Sequence, residues 1–285
     1  GRSVRLREDR WVIHRVLNET VYMATTRFPE LDLDLAFHPI HCPDPKALTP
    51  AQITAYNDYG CTEPITIFEP EQCREMRDRF VRSDVDNLKR LNPHIRIQWV
   101  HELVTDPKIL ACLHDLLGPN VVCFISQCFD KPPGSGTLVP GHQDAAYFAV
   151  DVHATVKAWL AIDDVDAGNG AMQVCPGSHK LGALEVRDPS ADLNIADEVR
   201  EDVVHRFGTV PLEMKAGQIV FFSTLLVHLS PPNLSAERYR RAITMAFART
   251  EIAPQFHPLA NHAPLLCSGR NVDGHWPLLP PPAAL

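Results

Sequence analysis

The chain has 285 residues, of which 45% are hydrophobic and 22% charged, and its formal net charge is −8. Those shares are those of an ordinary globular protein, long enough to bury a sizeable core as one large domain or two small ones. A negative balance with no Lys/Arg-rich run argues against nucleic acid and anionic membrane surfaces as partners, and no stretch approaches the ~20 consecutive apolar residues of a membrane span.

The first residues are charged (Arg2, Arg5, Arg7, Glu8, Asp9, Arg10) with no apolar run behind them, so no signal peptide is expected and the location expected is cytoplasmic. The eight cysteines (Cys42, Cys61, Cys73, Cys112, Cys123, Cys128, Cys175, Cys267) include no Cys-x-x-Cys pair. That spacing argues against a zinc ribbon and for reduced, mostly buried thiols.

Residues 1–48 read as an N-terminal arm. A short strand is expected within 11–23, where Val12, Ile13, Val16, Val21 and Tyr22 are β-formers, and prolines at 29, 39, 43 and 45 break any regular element in the rest of the arm. Thr49-Pro50 is a helix start, an N-cap before proline at the first helical position, for a helix ending near Gly60. Residues 61–68 read as a strand. A second helix is expected over 70–82, with Cys73, Met76, Phe80 and Val81 on or near one face. Asp106-Pro107 starts a third, running through Leu117 to Gly118.

After Gly118 the pattern turns to strands. They are expected over 121–129, 156–162, 171–174, 210–214, 218–222, 225–229 and 240–247, with turns such as residues 166–170 between them. Residues 180–207 are polar, with helix expected over 194–202, and the tail, 251–285, is rich in proline. Short strands at roughly even spacing predict a sandwich or jelly roll, and the preceding helices pack outside it, so the fold class is α+β, mainly β. The expected organisation is an arm (1–48), a catalytic domain (49–250, with its β core about 120–250) and a tail (251–285) packed on the core. No heptad pattern sets an oligomeric state.

One constellation stands out. His142 and Asp144 lie two apart at a strand end, where alternation sends both side chains to one side. His228 comes later, inside an apolar run, and Arg240 and Arg241 open the last long strand. Two imidazoles and a carboxylate on one face of a metal ion make the facial triad of non-haem Fe(II) oxygenases, and a guanidinium fork suits the far carboxylate of a keto-acid. His-x-Asp alone is a weak signal among 14 histidines; order and context raise it.

The chain resembles the phytanoyl-CoA dioxygenase-like group of Fe(II)/2-oxoglutarate oxygenases. The matching pieces are Lys131-Pro-Pro-Gly, Gly141-His-Gln-Asp, Trp159-Leu-Ala-Ile-Asp, Asn169-Gly-Ala-Met, Pro176-Gly-Ser-His, Ala216-Gly-Gln-Ile, His228-Leu-Ser-Pro-Pro-Asn and Arg240-Arg-Ala-Ile-Thr. They stand in the family's order over roughly residues 50 to 250. The resemblance implies a double-stranded β-helix (cupin-like jelly roll), Fe(2+), 2-oxoglutarate as co-substrate, and O2.

Residue by residue, the resemblance assigns His142, Asp144 and His228 to the metal. It assigns Arg240 and Ser230 to the distal carboxylate of 2-oxoglutarate, and Trp159 and Gln127 to the lining of that pocket. Only one of two neighbours on a strand can point inward, and the resemblance, which places the binding residue directly before the basic-Ala-Ile segment, favours Arg240 over Arg241. Arg241 is then expected as a solvated or surface-paired charge. Tyr147, Phe148 and Lys131 are candidates near substrate, with packing (Tyr147, Phe148) or loop anchoring (Lys131) as the plainer roles. His179 is expected in a turn.

The implied activity is oxidation, by hydroxylation, of a C–H bond in a small molecule, with release of succinate and CO2. A natural-product intermediate is the substrate class favoured, with an amino acid or acyl compound, or desaturation or ring closure, as alternatives. Aspartate at 144, where related halogenases carry a small residue, argues for hydroxylation over halogenation. A non-catalytic barrel with a vestigial site would have lost a ligand or the arginine, and all are present. A cupin-type hydrolase or isomerase would leave Arg240 without a purpose.

Overall fold

The strand Arg240–Arg249 (β9) is the axis of the larger sheet in the computed structural model, which describes residue 28 and residues 30–83, 91–136, 138–184, 201–255 and 261–283. The strand expected within 11–23 and the start of the helix expected over 194–202 lie outside these residues. On one side β9 pairs antiparallel with Val121–Lys131 (β2), and on the other with Thr155–Ala161 (β4). Ile65–Thr66 (β1), Gln218–Phe222 (β7) and Leu265–Ser268 (β10) complete six strands in the order β1-β7-β4-β9-β2-β10.

A smaller sheet faces it, built from Val139–His142 (β3), His228–Ser230 (β8), Gln173–Val174 (β5) and Val210–Pro211 (β6) in the order β3-β8-β5-β6. Every paired strand runs antiparallel to its neighbour. Two such sheets face to face form the double-stranded β-helix that the family resemblance implies.

Alternation along β9 divides the core in two. Ile243, Met245 and Phe247 face outward and pack with Val156, Leu160, Ile109 and Leu113 against the helices. Arg240, Ala242, Thr244 and Ala246 share the opposite, inner face. There Ala242 packs with Trp159, Val220, Phe222, Met172 and Val174 between the sheets. The small alanines keep the barrel open beside larger side chains of β4.

The helices form from local signals that the sequence shows. Pro50–Tyr59 (α1) has a capping box, with Gln52 N–H donating to Thr49 Oγ1 at 3.2 Å and Thr49 N–H to Gln52 Oε1 at 2.8 Å. Pro70–Arg82 (α2) buries Cys73, Met76 and Phe80, while Val81 is exposed. Gln98–Val104 (α3) has no side-chain cap, which is why residues 98–104 carry no start signal. Pro107–Leu117 (α4) is capped by Asp106, which accepts from Lys108 N–H at 2.8 Å. Glu201–Phe207 is a fifth helix, α5.

Four expected strands are shorter or displaced, and one of them, 210–214, pairs only as β6 with an isolated bridge at Met214. Within 61–68 only β1 and an isolated bridge at Cys61 pair with neighbours. Within 171–174 the strand is β5 alone. Residues 225–227 turn rather than extend, so β8 begins at His228. The reason is the same in each: apolar residues here fill the barrel core from turns as well as strands, and hydrophobicity cannot tell the two apart.

The ends of the described chain are tied to this body. Asp115 on α4 accepts from the backbone N–H groups of Lys46, Ala47 and Leu48 at 2.8 to 3.1 Å. β10 adds an edge strand against β2, and Trp276 is buried against Phe124, with ring centroids 5.6 Å apart.

Candidate functional site

β3 ends at His142, and Asp144 opens the adjoining 3₁₀ turn, Asp144–Tyr147. β8, paired with β3 so that His228 lies opposite His142, supplies the third residue. Gln143 between them points the other way. Its amide donates to Leu225 O at 2.6 Å and Gly182 O at 3.0 Å and accepts from Leu184 N–H at 2.7 Å. Ala145 N–H donates to Thr224 O at 3.0 Å. These bonds hold the His-x-Asp turn in register with β8.

The three side chains converge and are buried. Asp144 Oδ1 is 3.9 Å from His142 Nε2, Asp144 Oδ2 is 3.8 Å from His228 Nε2, and the imidazole centroids are 4.2 Å apart. Each imidazole uses Nδ1 on a backbone carbonyl at 2.9 Å, His142 on Pro140 O and His228 on Leu226 O. A carbonyl accepts only from N–H, so the network assigns the proton to Nδ1 and leaves both Nε2 lone pairs aimed at the shared space. Two nitrogen donors and one carboxylate in that geometry fit a divalent first-row ion with open positions. Burial pushes His228 down, to about 4, helped by His142, so it is neutral and able to ligate at neutral pH.

A cation not foreseen from the motifs stands inside the barrel. Lys157 on β4 is opposite Ala246 in register, on the inner face with Trp159, and its Nζ is 3.2 Å from Asp144 Oδ2. Burial pushes the Asp144 carboxyl up, but Lys157, His228 and His142 more than offset it and hold it at about 2. The signal for Lys157 was its parity with Trp159 in the apolar run 156–162.

At one end of the inner face Arg240 donates through Nη2 to Ser230 Oγ at 2.8 Å. Lys131, opposite Arg240 in register, donates to the same oxygen at 2.8 Å and to the carbonyls of Ser230 and Pro231 at 3.0 and 2.6 Å. Ser230 Oγ–H passes on to Gly170 O at 3.2 Å. Gly170 is at φ 82°, and a Cβ there would lie 2.9 Å from Pro231 O, so the close approach needs glycine.

Two cations therefore share one neutral hydroxyl, and Arg240 Nε is buried with no hydrogen-bond partner. Burial first and Arg240 second push Lys131 down to about 7, and burial pushes Arg240 down to about 10. Both shifts describe a pocket that an anion would relieve. A dicarboxylate with one end here and the other at the triad fits that need. Trp159 lies between, its ring 5.9 Å from the Arg240 guanidinium carbon. Thr244, with a buried hydroxyl that makes no hydrogen bond, sits across from both Trp159 and Gln127.

The remaining candidates fall in separate places. Tyr147 is beside the triad, 6.5 Å from His142 between centroids, while Phe148 is buried against Phe124 at 5.0 Å. Lys131 is at the Arg240 end. Arg241 faces out of the barrel and is paired, but it is buried rather than solvated: Asp163 and Asp130 lie 3.4 and 3.8 Å away, and Tyr239 stacks on it at 4.0 Å. Asp163 on the loop after β4, Asp130 on β2 and the Tyr239 ring surround it, so the charge is held by partners instead of water. His179 is buried in a turn, facing Asn57 O at 3.1 Å. All eight cysteines are free.

A jelly roll holding a His–Asp–His facial set at one point and a buried arginine at another is the architecture of the non-haem iron oxygenases that use a keto-acid. The phytanoyl-CoA dioxygenase (PhyH) family model matches residues 42–242, well over half of the chain, and the chain belongs to that family. Peroxisomal phytanoyl-CoA dioxygenase of Bos taurus is 36% identical over 151 residues, 50% of this chain and 44% of that protein. The alignment thus spans about half the length of each. A probable alpha-ketoglutarate-dependent hypophosphite dioxygenase of Stutzerimonas stutzeri is 28% identical over 189 residues, 63% of this chain and 64% of that one.

Solved structures share the fold. The apo non-haem monooxygenase ThoJ superposes with a TM-score of 0.65 at 23% identity, covering 80% of this chain and 87% of that one. EctD from S. alaskensis with 2-oxoglutarate and 5-hydroxyectoine gives 0.66 at 17%, covering 83% and 89%. CytC3 with Fe(II) and alpha-ketoglutarate gives 0.60 at 19%, covering 82% and 93%. Family membership and the convergent triad support Fe(II) and 2-oxoglutarate as the cofactors here, with O2 typical of the family. Among the described residues no helix is long and apolar enough to cross a membrane.

Proposed function

We propose that this chain is a 2-oxoglutarate-dependent oxygenase that hydroxylates a C–H bond of a small molecule, releasing succinate and CO2. The observation that carries it is the pairing of two sites in one barrel: a triad with both Nε2 atoms free, and a buried guanidinium with an unused Nε. His142, Asp144 and His228 would hold iron. Arg240 and Ser230 would take the distal carboxylate of 2-oxoglutarate, with Lys131 keeping the Ser230 oxygen in place and Trp159 and Gln127 flanking the co-substrate.

When bound, iron supplies oxygen activation coupled to decarboxylation of the keto-acid. The chain's part is to bind and orient. Gln143 fixes the spacing of two ligands, the Nδ1–carbonyl bonds fix the third and the first, and the alanines of β9 leave room for a ligand along the inner face. Tyr147 stands where it can meet substrate next to His142.

Lys157 narrows the substrate. Asp144 and the two carboxylates of 2-oxoglutarate supply three negative charges against four from iron(II), Arg240 and Lys157, so at least one positive charge is unbalanced, and more when Lys131, held at about 7, is protonated. A buried charge is costly unless paired, so a substrate with an anionic group near the reacting carbon fits best. The name of the Stutzerimonas relative carries an anionic substrate, in line with this reading. An acyl-CoA fits less well, because the chain has no Lys/Arg-rich run to hold the CoA phosphates. We place the reaction in natural-product biosynthesis, on an acid of that kind, in the cytoplasm.

The test is anaerobic absorbance of metal-free protein given Fe(II) and 2-oxoglutarate. A visible charge-transfer band, weakened in Arg240→Ala at limiting 2-oxoglutarate, is the expected result, followed by a screen of small acids for stimulated succinate release. Fully iron-loaded protein without a band would overturn the proposal.

A further inference from the structure

Outside the barrel site, Asp34, His38 and His153 form a second His–Asp–His cluster whose ligand atoms all lie within 4.8 Å of one another, as those of the triad do. Asp34 Oδ2 is 2.8 Å from His38 Nε2 and 3.5 Å from His153 Nδ1. Zinc bonds of 2.0–2.1 Å in a tetrahedron put ligand atoms about 3.3 Å apart, which is the scale seen here. The corresponding separations in the triad are 3.9 and 3.8 Å, so the second cluster is drawn in more tightly than the first.

The cluster is held in place by backbone. Asp34 N–H donates to Asp151 Oδ1 at 2.9 Å, and Val152 N–H donates to Asp34 O at 3.1 Å, fixing Asp34 against the two residues that precede His153. Ala36 N–H donates to Asp34 Oδ1 at 3.0 Å, which orients the carboxylate and leaves Oδ2 for a ligand. His153 Nδ1 is buried and makes no hydrogen bond. The His38 and His153 rings meet edge to face at 5.2 Å. The His38 side chain is 55% exposed and Asp34 39%, so an ion can reach the cluster and keep water in its remaining position.

We propose that Asp34 Oδ2, His38 Nε2 and His153 Nδ1 bind one divalent ion of borderline softness, zinc before others, apart from the barrel site. A mixed N/O set with an open fourth position suits zinc and disfavours magnesium or calcium, which take oxygen. The ion would clip the arm segment 34–38 to the turn that leads into β4, the strand of Lys157 and Trp159. Bound there, zinc adds a tie between two segments now joined by the hydrogen bonds of Asp34 with Asp151 and Val152.

The experiment is calorimetric titration of Zn2+ into the metal-free 285-residue chain. Wild type is expected to bind two equivalents, His142→Ala/Asp144→Ala one, and His38→Gln/His153→Gln one. Adding both pairs of changes should leave none. Circular dichroism checks that each variant is folded, and His38→Gln alone serves if the double change does not fold. Limited proteolysis within residues 30–48 should slow with zinc in the protein that retains only the outer cluster. The proposal is overturned if triad-disabled protein takes up no zinc, or if its uptake persists once His38 and His153 are replaced as well. Zinc uptake with no effect on proteolysis would overturn the clip.

Discussion

Lys157 Nζ stands 3.2 Å from Asp144 Oδ2 inside the barrel, two residues along β4 from Trp159. Without metal, this cation is what balances the buried carboxylate. With metal, the same carboxylate has a stronger partner. Lys157→Met should therefore separate the two states. Asp144 has a folded value of about 2, below its usual 3.8, so it contributes stability above pH ~4 that is lost as pH falls through the folded value. Losing Lys157 should cost the metal-free protein about 2 kcal/mol at neutral pH and much less when Mn2+, a redox-silent substitute, is bound. Urea denaturation with and without Mn2+ measures both. Equal losses in the two states would remove Lys157 from the site.

Arg240 and Ser230 divide a different task. Arg240→Ala removes a buried cation from the expected carboxylate and should weaken 2-oxoglutarate binding by about 100-fold or more. Ser230→Ala removes one hydroxyl and should cost about 10-fold. Neither touches the triad, so iron retention should stay at the wild-type level. Titration of the anaerobic iron complex with 2-oxoglutarate gives both constants, and unchanged affinity in both variants would place the keto-acid elsewhere.

Gln143 is structural in a way its neighbours are not. Its side chain makes three hydrogen bonds to backbone, and Gln143→Ala strips the partner from Leu184 N–H and from two carbonyls. A loss of about 2–3 kcal/mol in urea denaturation is expected. Iron should also be held more weakly, because the turn between His142 and Asp144 loosens. A variant as stable as wild type would show that water replaces the amide.

Three buried histidines and the half-buried His262 set an acid limit. Burial pushes His94, His179, His228 and His262 down to about 4. Their folded values lie below the unfolded 6.5, so the unfolded chain takes up protons first as pH falls. Their contribution is complete above about pH 6.5 and is lost as pH falls toward 4. The melting temperature of metal-free protein, followed by calorimetry, should fall steadily between about pH 7 and pH 5. A flat profile over that range would contradict the burial of these rings as charge-excluding.

Much of the frame was legible because its signals are local. Thr49-Pro50 and Asp106-Pro107 announce α1 and α4 through caps that need only the next three residues. β2, β4 and β9 are long enough for composition to mark them. Alternation shows that only one of Arg240 and Arg241 faces inward and the family pattern picks Arg240, whereas the burial of Arg241 is not legible in the sequence, since its partner Asp163 lies on a loop far away in the chain. α3 starts without a cap and so leaves no start signal in the sequence, and residues 225–227 read as strand because a buried turn is as apolar as a strand.

By itself the sequence determined the set of groups available: two imidazoles, a carboxylate and an arginine, in an order that marks the family. Which atoms face one another was decided by the tertiary structure, through the register of β3 on β8 and of β9 between β2 and β4. That register placed Lys157 on Asp144 and two cations on the Ser230 hydroxyl. It also left Asp34, His38 and His153 together from segments more than a hundred residues apart. Side-chain period is local, whereas strand pairing joins residues far apart in the chain, so contacts between distant groups exist only once the sheets have closed.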